Sequence, residues 1–192
     1  MSIFTLIPLL PLAAALTLAL FGRRLHGVGH RIVIPAVAGS FVVSIAALRE
    51  VLANGAIEVP LYRLLGVGRL VVDLGFYIDS LTVLLLLLVT GVSTVVQVYS
   101  SRYMIGDARH SRFFGLTALF TAAMTLLVMS SNLLLTFVFW EVMGLCSYFL
   151  ISHYAERRSA YRAATKVFLV NSIADVGLLT GIILTFNAFG TL

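Results

Sequence analysis

Charge is scarce in this sequence: Asp, Glu, Lys and Arg fill 11% of the 192 positions, against about 25% in an ordinary soluble domain. Cysteine is scarcer. Cys146 stands alone inside an apolar run, which excludes an internal disulfide and a cysteine-ligated iron–sulfur centre, and suits a small packed residue. There is no glycine-rich nucleotide loop and no credible nucleophile–base pair. His26, His30, His110 and His153 lack the spacing of metal ligands. These absences predict a chain with no cofactor, no metal site and no redox centre of its own.

Apolar residues fill the space. They make up 60% of the chain, with a mean hydropathy of +1.07, and they fall in runs long enough to cross a hydrocarbon core, about 20 residues of helix. Six such runs cover roughly residues 3–21, 32–52, 76–100, 113–129, 133–152 and 161–189. Spanning strands would alternate apolar and polar residues, and the run Leu84-Leu85-Leu86-Leu87-Leu88-Val89 does not. The expected fold is therefore an all-α integral membrane protein of about six transmembrane helices. The first run is not preceded by a positive residue and is followed by Arg23 and Arg24, the reverse of a secretion signal. It reads as a retained helix, with Pro8 and Pro11 near its start.

The loops differ. Residues 22–31 are short and basic, whereas 53–75 are longer, contain glycine and mix charges; within them 57–61 and 70–74 read as short strands. Ser130-Ser131-Asn132 makes a tight turn, so helices four and five should be antiparallel neighbours. The loops after helices one, three and five hold Arg23, Arg24, Arg31, Arg102, Arg109, Arg112, Arg157, Arg158 and Arg162, while the opposite side has Arg63, Arg69 and, near a helix end, Arg49. The net charge of +5 is thus a topology signal and not a nucleic-acid footprint. Arginine-rich loops stay cytoplasmic, which places both termini outside, in the periplasm of a bacterial inner membrane.

Three charges break this pattern. Glu141 falls nine residues into helix five, about 13 Å along it at 1.5 Å per residue. Asp175 lies well inside helix six, and Lys166, the chain's sole lysine, one or two turns in from that helix's cytoplasmic end. A charge at the bilayer centre costs at least about 2.5–3.5 kcal/mol, so such residues face a bundle interior or water, find partners, and serve ion or proton movement. Burial favours a carboxyl's neutral form and a nearby cation its ionised form, so a partner that moves can drive proton uptake and release. The plainer readings are a buried structural hydrogen bond for Glu141, local satisfaction of Asp175 by Asn171 and Ser172, and snorkelling for Lys166. Phe113, Phe114, Trp140, Tyr148 and Phe149 read as packing or interface aromatics.

The stretch Asn-Leu-Leu-Leu-Thr-Phe-Val-Phe-Trp-Glu-Val-Met-Gly-Leu-Cys-Ser-Tyr-Phe-Leu-Ile at 132–151 resembles the antiporter-like, proton-translocating subunits of respiratory complex I. Its Trp-Glu-x-x-Gly-Leu-Cys-Ser-Tyr string is most similar to the L type of NADH–quinone oxidoreductase, chain 5 in mitochondria. Tyr77-Ile78-Asp79-Ser80-Leu81, Ser111-Arg112-Phe113-Phe114 and Ala163-Ala164-Thr165-Lys166-Val167-Phe168 agree. The likeness is specific over about 75–192 and rests mainly on hydropathy before that.

The resemblance implies helices one and two with the start of an external loop at 1–64, a chain 5 N-terminal-like segment at 65–115, and the beginning of the proton antiporter-like domain at 116–192. It implies that Glu141 is the central protonatable residue of a path that includes Lys166 and Asp175, within the first of two inverted repeats whose remainder lies past residue 192. It further implies other membrane subunits as partners, protons as cargo, and redox energy supplied by a quinone-reducing assembly. The L-type pattern often has arginine three residues before the aspartate, where this chain has Ser172. Sodium/proton antiporters, membrane hydrogenases and inorganic-carbon uptake pumps share the motif and give the alternative function; a scaffold homologue is a third reading.

Overall fold

The computed structural model describes residues 3–22, 24–25, 27–67 and 70–190. The loop readings for Arg23, His26 and Arg69 lie outside the described residues. A 3-10 turn, Ile3–Thr5, leads into α1 (Leu6–Phe21), followed by α2 (Gly29–Asn54), strands β1 (Ile57–Val67) and β2 (Leu70–Ile78), then α3 (Ser80–Tyr103), α4 (His110–Met129), α5 (Leu133–Ile151) and α6 (Arg158–Phe189). Six helical segments are long and apolar enough to cross a membrane, so this is a multi-pass membrane protein.

The loop between the second and third helices carries more structure than its sequence suggested. β1 and β2 form an antiparallel hairpin with Ile57 opposite Ile78 and Val59 opposite Phe76. Pro60 has no N–H to give the ladder, and the register slips between Pro60 and Tyr62. Residues 76–78, expected to open the third helix, close β2 instead. Helix α3 starts at Ser80 because the Asp79 carboxylate accepts the Thr82 backbone N–H at 2.8 Å. That bond to the ionised form holds the Asp79 carboxyl below the ordinary carboxylate range.

Within the spans, most hydroxyls turn back on their own helices, while Ser40 also donates to the Ile7 carbonyl of α1 and Ser93 meets Thr121 of α4. Thr90 donates to the Leu86 carbonyl at 2.6 Å and Thr125 to the Thr121 carbonyl at 3.0 Å. Helix α1 packs against α4 and α2, α2 against α3, α4 against α5, and α5 against α6. Two apolar clusters close the ends of the bundle. Phe4, Ile7, Val51, Val59, Phe76 and Met129 seal the hairpin end, and Leu18, Val33, Val37, Met104 and Phe114 the other.

At that second end the three arginine-bearing loops meet. Ser111 Oγ donates to the Leu25 carbonyl at 3.0 Å, and Asp107 accepts from the Tyr154 hydroxyl at 2.9 Å. Burial fades along the chain. Among the described residues α5 fully buries only Leu135 and Cys146, and α6 only Ala164 and Ile182.

Candidate functional site

Helix α5 begins where Asn132 caps it, its Oδ1 accepting the Leu135 N–H at 2.9 Å. The Asn132 amide also donates to the Asp73 carbonyl at 2.8 Å, tying the start of α5 to the hairpin. Glu141 is the ninth residue of this helix and is exposed on the face that α5 presents within this chain. It makes no hydrogen bond or ion pair among the described residues. Its neighbour Trp140 donates the indole N–H to Asp175 Oδ1 at 3.1 Å across the α5–α6 interface. Asp175 therefore meets α5 at the residue next to Glu141.

The structure brings Asp175 to Trp140, the residue before Glu141, and leaves Lys166 apart. The rings of Tyr148 and Phe168 lie 5.4 Å apart, which with the Trp140–Asp175 bond fixes the antiparallel register of the two helices. Lys166 precedes Asp175 by nine residues, about two and a half turns and roughly 13 Å. It lies on the opposite side of α6 and is exposed. It forms no ion pair with Glu141 among the described residues. Nor does Ser172 serve Asp175, since its hydroxyl donates to the Phe168 carbonyl at 2.9 Å. The aspartate's partner is Trp140, which the sequence presented as a packing aromatic. A signal existed: an indole N–H in hydrocarbon needs an acceptor.

Thirty-five residues separate the two groups, and only the α5–α6 pairing joins them.

A second polar cluster, at the arginine-rich end, was not foreseen. Asp107, between α3 and α4, accepts from Tyr154 and from the Arg109 backbone N–H at 2.6 Å, and lies 3.4 Å from His153 Nε2. The Arg109 guanidinium crosses to the His153 carbonyl and to Glu156. Burial pushes the Asp107 carboxyl upward, but the Arg109 N–H, the Tyr154 hydroxyl and His153 outweigh it and hold the group below the usual carboxylate range. The same bond to Asp107 raises the Tyr154 phenol above its ordinary value. His153, expected at the end of helix five, sits just past the Ser152 cap and is buried. His110, expected in a loop, opens α4 and meets His30 edge-on at 5.4 Å. Among the described residues no three His, Cys, Asp or Glu side chains converge into a metal-holding group.

Known proteins resemble this chain in sequence and in fold. Residues 64–114 match the family described as NADH-ubiquinone oxidoreductase (complex I), chain 5 N-terminus. Residues 130–192 match the NADH:quinone oxidoreductase/Mrp antiporter transmembrane family. The chain is 40% identical over 187 residues to NADH-quinone oxidoreductase subunit L of Mycobacterium tuberculosis, covering 95% of this chain and 30% of that one. It is 44% identical over 179 residues to the F(420)H(2) dehydrogenase subunit L of Methanosarcina mazei, covering 93% and 26%. The chain thus spans under a third of the length of these relatives. In fold it is similar to a chain of the Mrp complex from a Dietzia species, with a TM-score of 0.78 and 27% identity over 99% of this chain and 20% of that one. A chain of respiratory complex I from Thermus thermophilus aligns with a TM-score of 0.73 and 20% identity, over 97% and 38%. Trp140, Glu141 and Asp175 fall inside the second matched region, and the chain belongs to the family of antiporter-like membrane subunits of complex I, in its L or chain 5 branch.

Proposed function

We propose that this chain supplies part of a proton path in a complex I-like NADH–quinone oxidoreductase, with Glu141 as the group that takes up and releases the proton. The observation that carries the reading is Glu141 midway along an apolar helix, next to Trp140, whose indole N–H bonds Asp175 midway along the neighbouring one. A carboxyl placed there at a cost of about 2.5–3.5 kcal/mol is retained for ion or proton movement. Asp175 acts on Glu141 by its charge, and Trp140 holds Asp175 in place. Lys166 belongs to the path at a distance, toward the arginine-rich end.

The driving reaction is assigned to partner subunits, because the sequence has one cysteine and no nucleotide loop. The similar solved structures come from multisubunit membrane complexes. The curated relatives named above are subunits of a quinone oxidoreductase and a dehydrogenase, which favours redox drive over antiport or carbon uptake. The arginine-rich end is assigned to the cytoplasm and both ends of the segment to the periplasm.

The test is Glu141→Gln in the assembled complex, read as proton translocation into sealed vesicles with incorporation checked on the same preparation. Gln keeps size and hydrogen bonding but releases no proton, so pumping should fall by more than about tenfold. Normal pumping would overturn the assignment.

A further inference from the structure

Away from the α5–α6 site, a cleft of about 450 Å³ opens between α1 and α4. Small residues create it. Ala15 and Ala19 on α1, and Gly22 just past its end, face Gly115 on α4, and a Cβ on Gly115 would come within 3.4 Å of Leu18. Leu16 and Leu119 line its deep part. Seven residues separate Arg112 from Leu119, so the cleft runs about 10 Å down the helix from its mouth.

The mouth has a different character. Arg109 and Arg112 both line it, at the end of the bundle where the arginine-bearing loops gather. Arg109 shares its charge with Glu156. Arg112 is exposed and has the face of Phe149 at 5.7 Å. No carboxylate pairs with it among the described residues. A cation above an apolar slot, at the level where helices leave the membrane, matches a molecule with a phosphate at one end and hydrocarbon at the other. A lipid without phosphate would fill the slot but leave Arg112 without a counter-ion, and a zwitterionic one would offer a phosphate already neutralised by its own headgroup cation. An apolar helix from a partner would also fill the slot and leave Arg112 without a counter-ion.

We infer that the α1–α4 cleft is a binding site for an anionic phospholipid, with one acyl chain along Ala15, Ala19 and Leu119 and the phosphate at Arg112 and Arg109. Arg112 supplies the preference for negative charge, and the small residues of α1 supply room for the chain. The site stands apart from Trp140, Glu141 and Asp175, and does not depend on their role.

The probe is phosphatidylglycerol carrying a diazirine on its acyl chain, incorporated into phosphatidylcholine nanodiscs that hold the assembled complex. After irradiation, labelled peptides are mapped. Label should concentrate on the α1 and α4 peptides, and unlabelled phosphatidylglycerol should compete it away at least about fivefold better than phosphatidylcholine, the factor expected for one surface arginine. Arg112→Gln should erase that preference and Arg112→Lys restore most of it. Ala19→Trp, at an exposed position on the cleft wall, should remove the label while the complex stays assembled. Equal competition by the two lipids, label unaffected by Ala19→Trp, or no label in the cleft because a protein helix covers it would each overturn the inference.

Discussion

Trp140 Nε1 and Asp175 Oδ1 lie 3.1 Å apart, and this bond is the polar tie between α5 and α6 at the level of Glu141. Both partners would be costly to leave unpaired in hydrocarbon, an indole N–H and a carboxylate alike. Each resolves the other's need, and the bond turns the aspartate toward α5 rather than along α6. A hydrogen bond to a charged group is worth about 1.5–3 kcal/mol, enough to decide one side chain's orientation.

Trp140→Phe keeps the aromatic volume and removes the donor. Proton translocation by the assembled complex should fall about tenfold, the rate equivalent of the lower end of that range. If Trp140 acts through Asp175, adding Trp140→Phe to Asp175→Asn should cost no more than Asp175→Asn alone. Fully additive losses in the vesicle assay would break the link.

Lys166→Met should be mild. The lysine lies two and a half turns from Asp175, on the other side of α6, and is exposed. Exposed charges contribute up to about 1 kcal/mol, so pumping should drop by less than about fivefold, well short of Glu141→Gln. A loss equal to that of Glu141→Gln would mean that the lysine reaches the carboxyl directly.

The Asp107 cluster should give a pH-dependent stability of definite sign. Its folded carboxyl is held below the ordinary value of 3.8. Its contribution is therefore full above about pH 4 and fades only as pH falls through the lowered folded value. Asp107→Asn should lower stability at neutral pH by about 1 kcal/mol, and the gap from wild type should close in strong acid. The Tyr154 phenol is raised, so its contribution is full below its ordinary value of 10.0 and lost as pH rises through the folded one. Thermal unfolding in detergent across pH, with Asp107→Asn and Tyr154→Phe beside wild type, checks both. A gap that widened in acid would contradict the Asp107 geometry.

Labelling from one side at a time tests orientation. Cys146 is buried in α5, so label mapped to the peptides of residues 1–192 reports on cysteines introduced at Ala108, Ala160 or Ala56. A membrane-impermeant maleimide should reach Ala108→Cys and Ala160→Cys only from the cytoplasm, and Ala56→Cys only from outside. The opposite pattern would invert the proposed orientation.

The six helices were legible because hydrocarbon demands long apolar runs and little else reads the same way. Their ends were less so. Asp79 ends β2 and caps α3, and hydropathy alone merges the two because Phe76 and Ile78 are as apolar as the helix that follows. The hairpin is longer than the expected strands at 57–61 and 70–74, because β1 continues past Pro60 through register slips to Val67. Glu141 and Asp175 stood out as charges in apolar sequence, but their partners did not. Trp140–Asp175 and Asp107–Tyr154 join residues 35 and 47 apart, and which helix faces which decides such pairs. Lys166 was drawn toward Glu141 by its charge alone, and helical phase turned it away.

The turn between α4 and α5 has a consequence for how the chain enters the bilayer. Only Ser130, Ser131 and Asn132 separate the two helices, and three residues reach about 10 Å, a third of the roughly 30 Å hydrocarbon thickness. During synthesis the second helix cannot wait in water while the first settles; the pair must partition as one hairpin. The penalty of carrying Glu141 out of water is then set against the apolar surface of two spans, and α5 reaches its depth already escorted by α4.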